Sequence, residues 1–309
     1  MLKIYKTEHK ELNEKDNFTK GCWISIVNPT NEEVSRIVDK FNVPMDFLLD
    51  ALDTNEIPRI EMEDGKIFIV IRVPTPDVNN AETPFNTTSF GILIFNGYIM
   101  TIYKNEKFNV LEDLFNKKTK NINTEDTTKF LLKIFRKVAG IYLKYLKEIN
   151  VITDELEEKF NKKVSNEWLS KLLNLEKSLI YFKTGLNSNK VVINKVKRLE
   201  LIKQNDEYKD LVDDVLIENN QGMEIANIYS KVLDDMRSYF SSAISNNLNN
   251  RMKDLTVATI ALMIPTLITS FFGMNVKLPF QNSSLTALYI TIISLMLTIV
   301  GLIIFRKKY

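Results

Sequence analysis

Phe272-Gly273-Met274-Asn275-Val276 follows one apolar stretch and shortly precedes a second. A glycine and an amide side chain that end a membrane helix at the aqueous boundary can offer backbone carbonyls and an amide oxygen to a hydrated cation. No bond is made or broken in such chemistry. It needs acceptors held around an ion's path, and so elements that bring several of them to one axis.

Two stretches are long enough to meet lipid. Residues 255–272 and 285–305 carry no charge, and a hydrocarbon core of ~30 Å takes about 20 apolar residues in a helix. The first holds Thr256, Thr259, Thr266, Thr269 and Ser270, which suits a helix lining water rather than lipid. In steps of three and four, Asn249, Met252, Thr256, Thr259, Met263, Thr266, Ser270 and Gly273 form one stripe whose members are all polar, small or Met. The 3.5-residue period keeps a face toward a superhelix axis. Leu248, Leu255, Leu262 and Ile268 flank it with aliphatic groups. One copy cannot enclose a hole, so the stripe predicts a cyclic homo-oligomer. Pro265 frees the carbonyl of Ala261, which hydroxyls or pore water can satisfy.

Arg251 and Lys253 precede the first span, Arg306, Lys307 and Lys308 follow the second, and the connection 273–284 has only Lys277. By the positive-inside rule both termini are cytoplasmic, the loop is external and the protein is a multi-pass cell-membrane protein. The start, Met1-Leu2-Lys3-Ile4-Tyr5-Lys6, lacks an apolar core of signal-peptide length.

The chain reads as a cytoplasmic α+β domain over 1–123, helical hairpins and a stalk helix over 124–250, and a transmembrane domain over 251–309. That last part comprises a first span at 255–272, the loop at 273–284, a second span at 285–305 and a basic tail at 306–309. Trp23 to Val27 reads as a strand, Cys22 as a strand's core residue, and Asn31 as the N-cap before Glu32-Glu33-Val34. Glu63-Asp64-Gly65 and Asn96-Gly97 are hairpin signals between apolar runs, so the sheet is largely antiparallel. From about Thr124 the composition is helical, with breaks expected near 161–165, 187–189 and 204–206. From about Glu207 one helix of roughly 65 residues, about 100 Å long, runs through the stripe.

The chain has 41 basic and 39 acidic residues. Six of the former and only Asp254 of the latter follow position 250, leaving 35 and 38 before it. No nucleic-acid face is indicated, and Lys117-Lys118-Thr119-Lys120 reads as a solvated loop. Asp154-Glu155-Leu156-Glu157-Glu158 reads as an exposed helix face, or as a rim that attracts cations. His9 is the one histidine and no glycine-rich phosphate loop is present, which argues against an enzyme, an organic cofactor or nucleotide-driven pumping. Transport then runs downhill, with the membrane potential worth ~2.3 kcal/mol per charge per 100 mV.

The chain resembles the CorA-type divalent cation channels. The resemblance rests on Gly273-Met274-Asn275 closing the first of two C-terminal spans, on Ser245-Asn246 through Asn249 with Met252-Lys253 leading into it, and on the basic tail. It implies a funnel-shaped homopentamer for Mg²⁺, with Co²⁺ or Ni²⁺ as further cargo, whose cytoplasmic domain senses Mg²⁺. By motif position it implies Asn275 as the selectivity residue beside Gly273, and constrictions at Met252, Leu255, Met263 and Thr266. Asn249 falls at the cytoplasmic end, and Lys253 with Arg306, Lys307 and Lys308 in a basic collar. Asp214 resembles one ligand of an inter-subunit regulatory Mg²⁺ site, with Asp50, Asp53 and Glu56 as candidate partners from a neighbouring subunit. Lys277 departs from the family, which commonly carries an acid there. The rival readings are a proton-coupled zinc transporter of the same superfamily and a membrane-tethered structural or sensor protein.

Overall fold

The structure, a computed structural model, describes residues 1–9, 11–76, 83–104, 122–163, 165–275 and 285–308; the side chains of 286 and 304–308 lie outside that description. It divides into two compact units, Met1–Arg237 and Ser238–Tyr309.

The first unit is built on seven strands: β1 (Leu2–Glu8), β2 (Glu11–Lys15), β3 (Trp23–Val27), β4 (Arg59–Glu63), β5 (Lys66–Pro76), β6 (Phe85–Phe95) and β7 (Tyr98–Tyr103). They form one sheet in the order β2-β1-β3-β7-β6-β5-β4. Every pairing is antiparallel except β3 with β7, where Trp23 lies beside Ile99. Both expected hairpins form. Asp64 and Gly65 have φ of 48° and 75°, Asn96 and Gly97 of 47° and 79°, the left-handed conformation that a two-residue turn matching strand twist requires.

Between β3 and β4 lie α1 (Asn31–Phe41) and α2 (Met45–Leu52). Thr30, not Asn31, is the N-cap. Its Oγ1 accepts the Glu33 N–H at 3.2 Å, and Glu33 Oε2 accepts the Thr30 N–H at 2.9 Å. This reciprocal pair fixes the start one residue earlier than expected. Val34, Ile37, Phe47, Leu48 and Ala51 of these helices pack on Ile24, Ile26, Phe68, Val70, Leu93 and Met100 of the sheet. Cys22 is fully buried in this core, one residue before β3 begins. A Cβ on Gly91 would land on that of Ala51, so α2 approaches β6 as closely as glycine permits.

Beyond β7 the described chain is helical: α3 (Thr127–Lys162), α4 (Asn166–Lys197), the short α5 (Glu200–Lys203), α6 (Asp206–Phe272) and α7 (Thr286–Lys308). Two of the three expected breaks occur, between α3 and α4 and just before α6. The break expected at 187–189 does not, because α4 is continuous there and Asn189 is only 3% exposed. Its amide Oδ1 accepts the Arg72 N–H at 2.8 Å and its Nδ2 donates to the Arg72 carbonyl at 2.7 Å. Arg72 lies past the end of β4, whose pairing with β5 stops at Val70. An asparagine that looks like a helix breaker therefore replaces a missing strand partner. One turn away, Gly185 lets Tyr142 of α3 pass, and its Oη donates to the same carbonyl at 3.2 Å.

Candidate functional site

In the second unit, the C-terminal part of α6 is long and apolar enough to cross a membrane and is not buried by the chain itself. α7 is a shorter apolar helix over its described side chains, Ala287–Ile303. Ser294 of α7 is 5% exposed, and Ile290, Thr298 and Gly301 are partly covered on the same side. A Cβ on Gly301 would come within 3.1 Å of Ile264 Cδ1. Small residues thus let α6 and α7 pack, the usual device where burial from water is no driving force.

From residue 255 onward the covered positions of α6 are Val257, Ile260, Ala261, Ile264, Pro265 and Ile268. Asn249, Met252, Thr256, Thr259, Met263, Thr266, Ser270 and Gly273 are exposed on the other side, with Leu255 at their margin. Four threonine hydroxyls of this segment turn inward to the helix backbone. Thr256 donates to Met252 O at 2.8 Å, Thr259 to Leu255 O at 2.9 Å, Thr266 to Leu262 O at 2.7 Å and Thr269 to Pro265 O at 2.9 Å. The carbonyl freed by Pro265, that of Ala261, is not among these acceptors. With its proton committed, each hydroxyl presents lone pairs outward.

α6 ends at Phe272 and Gly273 closes its last turn, its N–H bonding Thr269 O at 2.9 Å. Met274 and Asn275 follow, both exposed. A Cβ on Gly273 would meet only Thr269 O and Ser270 O at ordinary contact distance, so nothing described within one chain requires glycine there. Lys253 is exposed on α6; Arg306, Lys307 and Lys308 lie in the last turn of α7. Lys277 and Lys117-Lys118-Thr119-Lys120 fall outside the described residues.

The candidate regulatory carboxylates lie in the first unit. Asp214 is exposed on α6 and has no ion pair among the described residues, while its neighbour Asp213 binds Lys197. Asp50 and Glu56 are both held by Arg59, at 2.6 Å from Nη2 to Asp50 and through Nη1 to Glu56. Asp53 is exposed, caps the end of α2 and accepts the Asn55 N–H at 2.9 Å; it too has no ion pair among the described residues. Sequence reasoning did not single out Arg59, although Asp50, Glu56 and Glu61 around it were the available signal. Arg72 was also missed. Burial holds its guanidinium below the usual arginine range, and it donates to Thr54 O at 2.7 Å and Thr87 O at 2.6 Å. On α3, Glu155 and Glu158 pair with Lys159 and Lys162 one turn on, as on a solvated helix face.

A family model described as "CorA-like Mg2+ transporter protein" matches residues 19–307. The chain is 28% identical to the cobalt/magnesium transport protein CorA of Methanocaldococcus jannaschii, over 93% of this chain and 90% of that protein. It is 26% identical to the magnesium transport protein CorA of Helicobacter pylori, over 93% of this chain and 89% of that protein. The complete structure of the M. jannaschii CorA magnesium transporter superposes with a TM-score of 0.81 at 24% identity, covering 100% of this chain and 97% of that one. The pairing of a mixed α/β unit with long helices is therefore a fold these proteins share. With the family model spanning nearly the whole of it, this chain belongs to the CorA-like Mg²⁺ transporter family.

Proposed function

We propose that several copies of this chain, a homopentamer by family resemblance, surround a membrane pore that passes hydrated Mg²⁺ down its electrochemical gradient, with Co²⁺ or Ni²⁺ as alternative cargo. α6 lines the pore from 255 onward and α7 crosses beside it, with both termini in the cytoplasm. The carrying observation is the exposed stripe on α6 whose threonine protons are spent on their own helix. Water bound to a divalent cation points its hydrogens away from the ion, and outward lone pairs receive them. Mg²⁺ releases its waters reluctantly, and the stripe contains no carboxylate to replace them. Asn275 and the carbonyls near Gly273 act in the same way at the external end of α6 and select the ion by its hydration shell. Met252, Leu255 and Met263 form apolar rings that dewet when the helices close together, a gate without moving charge.

Intracellular Mg²⁺ closes this gate through Asp214 of one subunit and a carboxylate of the next. Asp53 is the better partner, since Asp50 and Glu56 already hold a cation of their own chain. The donor set fits, because exposed carboxylate oxygens are the hard ligands Mg²⁺ takes. Bound metal would offset repulsion between subunits and favour a symmetric ring.

Flux into liposomes containing the purified protein tests the reading. Mg²⁺ uptake should follow the membrane potential and be indifferent to an imposed pH gradient. Uptake of Zn²⁺ driven by protons would instead support a proton-coupled zinc transporter, although residues 255–272 and 285–305 contain no Asp, Glu or His to carry them. Absence of any flux would leave a membrane-tethered sensor.

A further inference from the structure

Arg59 opens β4 and directs its guanidinium at three carboxylates together. Nη2 donates to Asp50 Oδ2 at 2.6 Å, Nη1 to Glu56 Oε1 and Nε to Glu61 Oε1. The rigid planar fork of arginine suits this arrangement, which the ammonium of lysine could not reproduce. Burial opposes its charge, yet hydrogen bonding and attraction from Glu61 and Glu56 hold it above the ordinary arginine range. Three carboxylates and one guanidinium leave two negative charges, which is what a divalent cation would neutralise.

The loop between α2 and β4, which carries Asp53 and Glu56, is also fixed from the sheet. The Ser89 hydroxyl donates to the Asp53 carbonyl, and Arg72 Nη1 donates to that of Thr54 at 2.7 Å. Glu56 N–H bonds the Asp53 carbonyl at 3.1 Å. Its position therefore does not depend on a metal. Asp53 stands between Asp50 and Glu56 in sequence but outside the clasp; its Oδ1 accepts the Asn55 N–H at 2.9 Å, and its charge acts on the Arg72 guanidinium.

We infer that Arg59 is a tethered rival of the sensed divalent cation. It occupies Asp50 and Glu56, leaves Asp53 as the carboxylate offered to the neighbouring subunit, and so sets how much Mg²⁺ closes the channel. The inference rests on the sensor reading given above. Because a guanidinium keeps its proton at every pH a cell experiences, the rivalry is set by charge and geometry alone. Removing Arg59 takes its positive charge from Asp50, Glu56 and Glu61 on the same segment as Asp53, and added negative charge raises the affinity of an oxygen site for Mg²⁺.

The test is limited chymotrypsin digestion of the full chain in detergent across a titration of magnesium chloride, with wild type, Arg59→Gln, Glu61→Gln, Asp53→Ala and Asp214→Ala. Arg59→Gln should lower the Mg²⁺ concentration of half-protection about tenfold, the scale of one such charge contact near the surface. Glu61→Gln, which leaves Arg59 more fully on Asp50 and Glu56, should raise it. A merely structural Arg59 would lower the melting temperature of both variants and move neither midpoint. Should Arg59→Gln fail to assemble, Glu61→Gln carries the test, and a midpoint that is unchanged or lower overturns the rival role. Raised midpoints in Asp53→Ala and Asp214→Ala with a wild-type midpoint in Arg59→Gln would overturn the rival role alone. Wild-type midpoints in Asp53→Ala and Asp214→Ala would overturn the sensor reading and the rival role together.

Discussion

The side-chain amide of Asn189 on α4 bonds both backbone polar groups of Arg72 on β5, accepting at 2.8 Å and donating at 2.7 Å. Asn189→Ala leaves a strand N–H without its acceptor and a carbonyl with one partner fewer, in a part-buried place. The expected cost is about 2–4 kcal/mol, read as a lowered melting temperature of the detergent-solubilised protein. A melting temperature within a degree or so of wild type would show that the sheet edge is satisfied another way.

Two glycines in neighbouring helices should respond with opposite signs to alanine. In Gly185→Ala the new methyl lands on the Tyr142 hydroxyl, which must move off the Arg72 carbonyl, and the protein should lose about 2 kcal/mol or more. In Gly140→Ala nothing lies within 4 Å of the new methyl, and the gain in helix propensity should stabilise by about 0.5–1 kcal/mol. Thermal denaturation of the two variants side by side checks both.

The parts of this fold legible in sequence are those specified locally. The turns at Asp64-Gly65 and Asn96-Gly97, the uncharged stretches and the eight-residue stripe all declare themselves within a short window. β2, with the sequence ELNEK, carries no strand signal of its own and exists because β1 offers it an edge. β1 and the parallel pairing of β3 with β7 are hidden in the same way, since each depends on residues far along the chain. Asn189 misled because asparagine in a helix ordinarily weakens it, and only the unpaired edge of β5 explains its presence. In the candidate site, the stripe was readable from spacing. The inward turn of its hydroxyls and the clasp of Arg59 on Asp50 and Glu56 were not, since both depend on which partner a side chain finds in three dimensions.

Met252 is 55% exposed on the stripe of a single chain, and in the proposed assembly it narrows the cytoplasmic end of the pore. Met252→Gly removes the apolar ring, so the constriction should stay wet and Mg²⁺ leak should rise several-fold under Mg²⁺ concentrations that close the wild type. Flux assayed with Mg²⁺ on the side of the cytoplasmic domain checks this. An unchanged or reduced leak would make Met252 a packing residue.

In the proposed pore, made by several copies of the chain, Asn275 reads a hydrated cation at the mouth. The most direct test is Mg²⁺ uptake into liposomes under an imposed membrane potential, comparing wild type with Asn275→Ala after crosslinking has shown the same oligomer in both. Asn275 is exposed, so the variant should assemble normally, and its uptake should fall to the level of empty liposomes. Wild-type uptake by a normally assembled Asn275→Ala protein would contradict it.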